Sequence, residues 1–294
     1  MKTLDDFGLT GSLVALVTPM DDRGSIDLDA WDRLLDWHAE SGTRGVVVGG
    51  TTGESATLSA EERDELLERA LGRIGDRCRV VAGTGAASTA AAVEQSVRAA
   101  RCGAHAVLVV TPYYNRPPQR GLVAHYRAVA DACEAPVILY NVPGRTAVDL
   151  DPRTTIELCR HDRIIGIKEA VSDMQRVRRL ADAGIGVLSG DDPTAREAIR
   201  NGARGVISVA ANVAPGRFAA MCEAALAGRD EAADAADAEL AALYPFLGAE
   251  ANPIPAKWLL GEMGRIGAGI RLPLVPLDRA HHEAGRALVG ALSD

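Results

Sequence analysis

The chain has 294 residues, 24% of them charged and 47% hydrophobic, which excludes a disordered or fibrous class and suffices for one large domain. A net charge of −8 argues against a nucleic-acid partner, because such binding is driven by clustered Lys and Arg releasing counterions. No apolar run of about 18 residues marks a membrane span, and Asp5 and Asp6 stand where a signal peptide is basic, so a cytoplasmic protein without a membrane partner is expected.

Short apolar runs ended by turn residues recur along the chain at Leu13 to Val17, Val46 to Val48, Val80 to Ala82, Ala106 to Val110, Val137 to Tyr140, Ile164 to Ile167, Ile185 to Leu188 and Val206 to Val209. Most are apolar without alternation, as parallel strands buried on both faces are. Helical segments are predicted between them at Leu28 to Glu40, Ser59 to Leu71, Thr89 to Arg101, Gly121 to Ala132, Pro152 to Arg160, Gln175 to Ala183 and Pro193 to Asn201. Ser59 before Glu61 and Glu62 reads as an N-cap, and Asp192-Pro193 as a cap followed by proline at the first helical position. Gly103, Gly184 and Gly202 are predicted to close helices in the left-handed conformation. Strict βα alternation predicts an α/β fold, a (β/α)8 TIM barrel over 1–213, with a doubly wound open sheet as the second choice. Residues 214–294 then form a helical C-terminal extension, whose Ala-rich stretch from Phe218 to Leu243 reads as a packed helix pair.

Five cysteines, odd in number and without a C-x-x-C pair, suit reduced thiols in a reducing compartment. The run Arg176-Val177-Arg178-Arg179 reads as the solvated face of a helix. The six histidines show no ligand spacing, so no metal is expected, and no G-x-S-x-G elbow marks a serine hydrolase.

In such a barrel the site is built at the carboxyl ends of the strands. Lys168 closes an apolar strand, where desolvation favours the neutral, nucleophilic amine; the ordinary alternative is a strand-end lysine paired with Glu169. Tyr140 at the same level of the adjacent strand can shuttle protons while a carbinolamine forms, dehydrates and becomes an enamine, and Thr51 and Tyr114 can extend that relay. The Gly-rich turn before Thr51 and Thr52 offers backbone N–H groups and hydroxyls to a small carboxylate, but its spacing is not the dinucleotide G-x-G-x-x-G. Arg145, in a Pro-Gly-Arg turn, can clamp a second carboxylate. Asp191 and Asp192 resemble an acid–base pair, but the proline that follows favours helix capping.

GTTGES at 50–55, TPYYNRP at 111–117, YNVPGRT at 140–146, GIKEA at 166–170, SGDD at 189–192 and NPIPAKW at 252–258 together resemble the 4-hydroxy-tetrahydrodipicolinate synthase family, long called dihydrodipicolinate synthase. The resemblance implies condensation of pyruvate with L-aspartate 4-semialdehyde on the route to diaminopimelate and lysine, with no cofactor beyond the covalent imine on Lys168. It makes Tyr140, Thr51 and Tyr114 the proton relay, with Tyr114 supplied by a neighbouring subunit of a homotetramer of two tight dimers. Thr52 would hold the pyruvate carboxylate and Arg145 that of the semialdehyde, and the backbone at Gly190 and Ile207 would line the site. The NPIPAK segment receives no role. Lysine-inhibited members carry His, Asn and Glu where this chain has Ala60, Ala87 and Ala91, with Arg63 at another cleft position, so weak or absent feedback is expected although Ser55, Ala56 and Tyr113 match.

The same barrel and lysine serve N-acetylneuraminate lyase and keto-deoxy-sugar aldolases, leaving a pyruvate-dependent sugar-acid lyase as the alternative. Gly144-Arg145-Thr146 and NPIPAK resemble the synthase instead. A non-catalytic keto-acid-binding protein ranks below both, since Thr51, Tyr114 and Tyr140 are all present.

Overall fold

The computed structural model describes residues 2–293. Eight strands, β1 (Gly11–Ala15), β2 (Gly45–Val48), β3 (Arg79–Gly83), β4 (Ala106–Val110), β5 (Val137–Asn141), β6 (Ile164–Glu169), β7 (Val187–Ser189) and β8 (Gly205–Ser208), pair in chain order into a closed barrel. Every pairing is parallel, and β1 closes on β8 with Leu13 opposite Ile207. The TIM barrel is therefore the observed fold, and the open sheet is not. β1 begins at Gly11, earlier than its apolar run suggests, because Gly11 and Ser12 pair with Gly205 and Val206 of β8; Leu16 and Val17 lie past the strand.

Between the strands run α1 (Leu28–Glu40), α2 (Ala60–Ile74), α3 (Thr89–Cys102), α4 (Gln119–Ala132), the single turn α5 (Pro143–Thr146), α6 (Pro152–Leu158), α7 (Met174–Asp182) and α8 (Ala195–Arg200). Local chemistry fixes their ends. Ser59 forms a complete capping box with Glu62, its side chain accepting from the Glu62 N–H at 3.1 Å while Glu62 accepts from the Ser59 N–H at 2.8 Å. Gly103, Gly184 and Gly202 all take the left-handed conformation.

Two expectations fail. Asp192 does not cap α8, which starts at Ala195; its carboxylate reaches across to the N–H groups of Val209 and Ala210 at 3.0 and 2.7 Å, and Asp191 accepts instead from Ser172 and Thr194. The Asp-Pro pair imitates a cap locally, but the loop after β8 presents two unpaired donors closer by. Arg176 is not solvated either: its side chain is 10% exposed and paired with Glu169 and Asp149, while Arg178 and Arg179 do face solvent.

Beyond β8, α9 (Pro215–Leu226) packs on β1, β8 and α8 and completes the ring of helices around the barrel. It pairs closely with α10 (Asp230–Leu240), the helix pair that the Ala-rich stretch predicts. Then come α11 (Leu243–Leu247), α12 (Ile254–Glu262) and α13 (His282–Ser293); α12 lies against the 3-10 turn Ala210–Asn212 and against α13. The largest core joins strands to helices and includes Trp31, Tyr126 and Phe218, each fully buried and worth about 1.5–3 kcal/mol of transfer free energy. A second core fills the barrel interior with Leu4, Leu9, Leu13, Val47, Val81, Leu108, Ile138, Ile165 and Leu188, so the floor is sealed and the open end lies at the strands' carboxyl ends. Among the described residues no helix is long and apolar enough to cross a membrane.

Candidate active site

Lys168 sits near the carboxyl end of β6, 5% exposed, directly opposite Tyr140 of β5 in the parallel register. Its Nζ lies over the Tyr140 ring, 4.5 Å from the centroid. Tyr140 itself is 8% exposed and, with Ile207, belongs to the barrel-interior cluster. Gly190, at the end of β7, closes the other side. A Cβ there would stand 2.8 Å from Lys168 Cε and 2.9 Å from Ala170 Cβ, so only glycine leaves the lysine its place.

The chain has three lysines: Lys2, Lys168 and Lys257. Lys257 is also buried, but its Nζ is 2.5 Å from Glu54 Oε1, an ion pair whose side chains are 5% and 1% exposed. Lys168 does not pair with Glu169, because successive residues on a strand face opposite ways. Glu169 points outward, accepts from Asn141 Nδ2 at 2.9 Å and from Arg176 Nε at 2.7 Å, and is sealed at 2% exposure. Burial raises the Glu169 carboxyl above the usual range, with Arg176 pulling the other way. Arg176 also donates to Asp149 at 2.8 and 3.0 Å, so one network ties the ends of β5 and β6 to α7 directly behind Tyr140 and Lys168.

Thr51 and Thr52 stand on a compact turn after β2, in which the Gly53, Glu54 and Ser55 N–H groups donate back to Gly50, Thr51 and Gly50. Thr51 is half-buried and Thr52 buried, and Thr18 Oγ1 fastens the turn by donating to Gly53 O at 2.8 Å. Arg145 stands exposed on α5, whose turn is held by Thr111 Oγ1 donating to Thr146 Oγ1 at 3.1 Å. Asn252, from the C-terminal segment, joins the two groups: its Nδ2 donates to Thr52 Oγ1 at 2.9 Å, and its carbonyl lies 3.5 Å from Arg145 Nη2. Tyr114 does not join its own chain's site. It is 92% exposed on the loop after β4, in a left-handed conformation at φ 74°, beside Tyr113 at 43% exposure.

Asp192, in the loop after β7, is 9% exposed. Burial raises its carboxyl, with donors from β8 and the loop after it and nearby Lys168 opposing, and its Oδ1 has no partner among the described residues. Among those residues no group of three or more His, Cys, Asp or Glu is placed to hold a metal ion. Asn141, Glu169, Arg176, Asn252 and the Glu54–Lys257 pair are the features that strand-by-strand reading missed. The only signal for Asn141 and Glu169 was an amide and an acid directly after Tyr140 and Lys168, whereas Glu54, Asn252 and Lys257 lie within the GTTGES and NPIPAKW motifs, which gave no hint of their pairing.

A model described as the dihydrodipicolinate synthetase family matches residues 8–292. A 4-hydroxy-tetrahydrodipicolinate synthase of Stenotrophomonas maltophilia (strain R551-3) is 51% identical over 288 residues, 97% of each chain. The crystal structure of dihydrodipicolinate synthase from Acinetobacter baumannii in complex with pyruvate is 45% identical and superimposes with a TM-score of 0.95, covering 97% of this chain and 99% of that one. A monomeric dihydrodipicolinate synthase variant is 36% identical, with a TM-score of 0.94 over 97% of both chains. The strand-end lysine and tyrosine, the threonine turn and a match over nearly the full length lead to one conclusion: this chain belongs to the dihydrodipicolinate synthetase family.

Proposed function

We propose that this chain condenses pyruvate with L-aspartate 4-semialdehyde to 4-hydroxy-tetrahydrodipicolinate, using Lys168 as a Schiff-base nucleophile. The observation that carries the reading is the buried Lys168 set against Tyr140 at the mouth of the barrel, while the other buried lysine is committed to Glu54. Relatives named for this reaction at about half identity support it, and so does a neighbour solved with pyruvate.

The neutral Lys168 amine attacks the C2 carbonyl of pyruvate to give a carbinolamine, and loss of water gives the imine. Tyr140, within reach of that nitrogen, carries the protons, with Thr51 and Tyr114 as the relay to solvent. Removal of a C3 proton turns the imine into an enamine, whose carbon adds to the aldehyde of the second substrate. The amine of that substrate then attacks the imine carbon, closing the ring and releasing Lys168. Thr52 seats the pyruvate carboxylate and Arg145 the carboxylate of the acceptor, with the backbone at Gly190 and Ile207 lining the walls. No cofactor enters these steps, since the imine itself withdraws the electrons.

The exposed Tyr114 supports assembly into a homotetramer of tight dimers, in which the tyrosine completes a neighbour's relay. Free thiols, four of five buried, support a reducing cytoplasm. Arg63 donates to Gln95 Oε1 at 2.6 Å and to the Ser55 carbonyl, so a cation already occupies the cleft beside Ala60, which supports weak feedback by lysine.

Initial rates with pyruvate and each of three acceptors test the reading. Aspartate semialdehyde should be turned over, and N-acetylmannosamine and glyceraldehyde should not. Arg145→Ala should raise KM for the semialdehyde at least about tenfold, the worth of a charge-assisted hydrogen bond, and leave pyruvate capture intact. Preferred turnover of N-acetylmannosamine would instead establish a sugar-acid lyase.

A further inference from the structure

The segment from Asn252 to Lys257 touches the threonine turn at two points. Asn252 Nδ2 donates to Thr52 Oγ1 at 2.9 Å, and five residues on Lys257 pairs with Glu54, two residues past Thr52. Glu54 stands in a left-handed conformation at φ 57°, and its second oxygen accepts from the Arg271 N–H at 3.1 Å. Arg271 in turn holds Glu62 at 2.5 and 2.8 Å and the Thr57 carbonyl at 2.8 Å. The turn is thus pinned from the C-terminal segment, close to the residue that faces substrate.

A threonine hydroxyl has one proton and two lone pairs. The bond from Asn252 occupies a lone pair and leaves the proton free. A hydroxyl whose oxygen already accepts a bond is also polarised into a better donor. We propose that Asn252 is a positioning residue for pyruvate binding: by donating to Thr52 Oγ1 it directs the Thr52 proton toward the substrate carboxylate, while the Lys257–Glu54 pair holds Asn252 and Thr52 in one frame. This role deepens the reading of Thr52 as the carboxylate seat and rests on it. It also gives the NPIPAK segment a function: Asn252 orients and Lys257 anchors. Burial pushes the Lys257 amine down, with the Glu54 carboxylate opposing.

Two near-isosteric variants of the full-length protein test the proposal. Asn252→Leu removes the donor without adding charge. Asn252→Asp replaces it with an acceptor that captures the Thr52 proton. Both should raise KM for pyruvate about tenfold or more, the loss of one hydrogen bond to a charged group, with kcat at saturating pyruvate and KM for the aldehyde within about threefold of the parent. Asn252→Asp should be the worse of the two. Thr52→Val should raise the pyruvate KM likewise, and the Thr52→Val/Asn252→Leu double variant should be no worse than Thr52→Val alone, because Asn252 acts only through that hydroxyl. If Thr52→Val binds pyruvate normally, the reading of Thr52 fails and the proposal falls with it. If Thr52→Val is impaired while the folded Asn252 variants bind pyruvate normally, or the two effects add, only the Asn252 role is overturned. Thermal melts establish folding, and should Asn252→Leu not fold, Asn252→Asp decides.

Discussion

At Gly190 the space allotted to Lys168 is set by a missing side chain. Gly190→Ala would place a methyl 2.8 Å from Lys168 Cε, closer than real Cβ contacts allow, so the lysine must leave its position over Tyr140. The variant should stay folded and lose imine formation by about a hundredfold, since misplacement of a reacting group by an ångström costs that order. Normal pyruvate capture would show that the close packing of Gly190 has no catalytic consequence. At this scale Lys168 and Tyr140 were legible in sequence because each ends an apolar run, and a barrel puts strand ends at the site. Asp192 was not: its neighbour Pro193 gives a strong local signal for a helix cap, whereas its actual partners, the Val209 and Ala210 N–H groups, are brought to it only when β7 and β8 pair.

The elements that hold the site are joined by buried charges rather than by apolar contacts alone. Asn141 and Glu169 face each other one step beyond Tyr140 and Lys168, so any slip of β5 against β6 would break both the catalytic alignment and the Arg176 network. The Lys257–Glu54 pair does the same for the threonine turn and α12. Lys257→Met leaves the buried Glu54 carboxylate without its counter-charge, held by the Arg271 N–H alone, and should destabilise the fold by about 3–5 kcal/mol. Adding Glu54→Gln removes the stranded charge and should recover much of that loss. Urea unfolding of the single and double variants decides; equal losses would mean that the pair is not a coupled unit. Sequence alone could not reveal the Asn141–Glu169 and Lys257–Glu54 links, since those partners lie 28 and 203 residues apart along the chain and each motif containing them reads as complete. Arg176 sits in a basic run that looks solvated, and only the return of α7 against β6 encloses it.

For the molecule as a whole, buried histidines weaken the fold as the pH falls below about 6.5, before carboxylates held low by arginine, such as Asp36 and Glu62, begin to protonate. Burial lowers His38, with Arg265 adding to the effect, to about 3, and burial lowers His125 to about 4. The unfolded chain protonates both near pH 6.5, so below that value it binds more protons than the folded one, and stability falls as the pH drops. Each histidine contributes up to about 1.4 kcal/mol per pH unit, from about pH 6.5 down to its folded value. Glu169 and Asp192, raised by burial, act in the opposite sense, from their ordinary values of 4.5 and 3.8 upward. His125→Gln therefore isolates one share: its urea midpoint should fall less steeply than that of the parent between pH 6.5 and 4.5. Identical slopes would contradict a neutral buried His125.

The barrel was legible on this scale because alternation of apolar runs and helices admits few closed arrangements. The C-terminal segment was only half legible: its Ala-rich pair was clear, but the path from α11 to α13 back over the mouth depends on contacts with loops far upstream. The central claim, that Lys168 captures pyruvate as an imine, is tested most directly by borohydride reduction in the presence of pyruvate, followed by peptide mass spectrometry. A reduced pyruvyl adduct on the peptide that carries Lys168, absent without pyruvate and absent in Lys168→Ala, is the predicted result; an adduct on Lys257, or none at all, would contradict it.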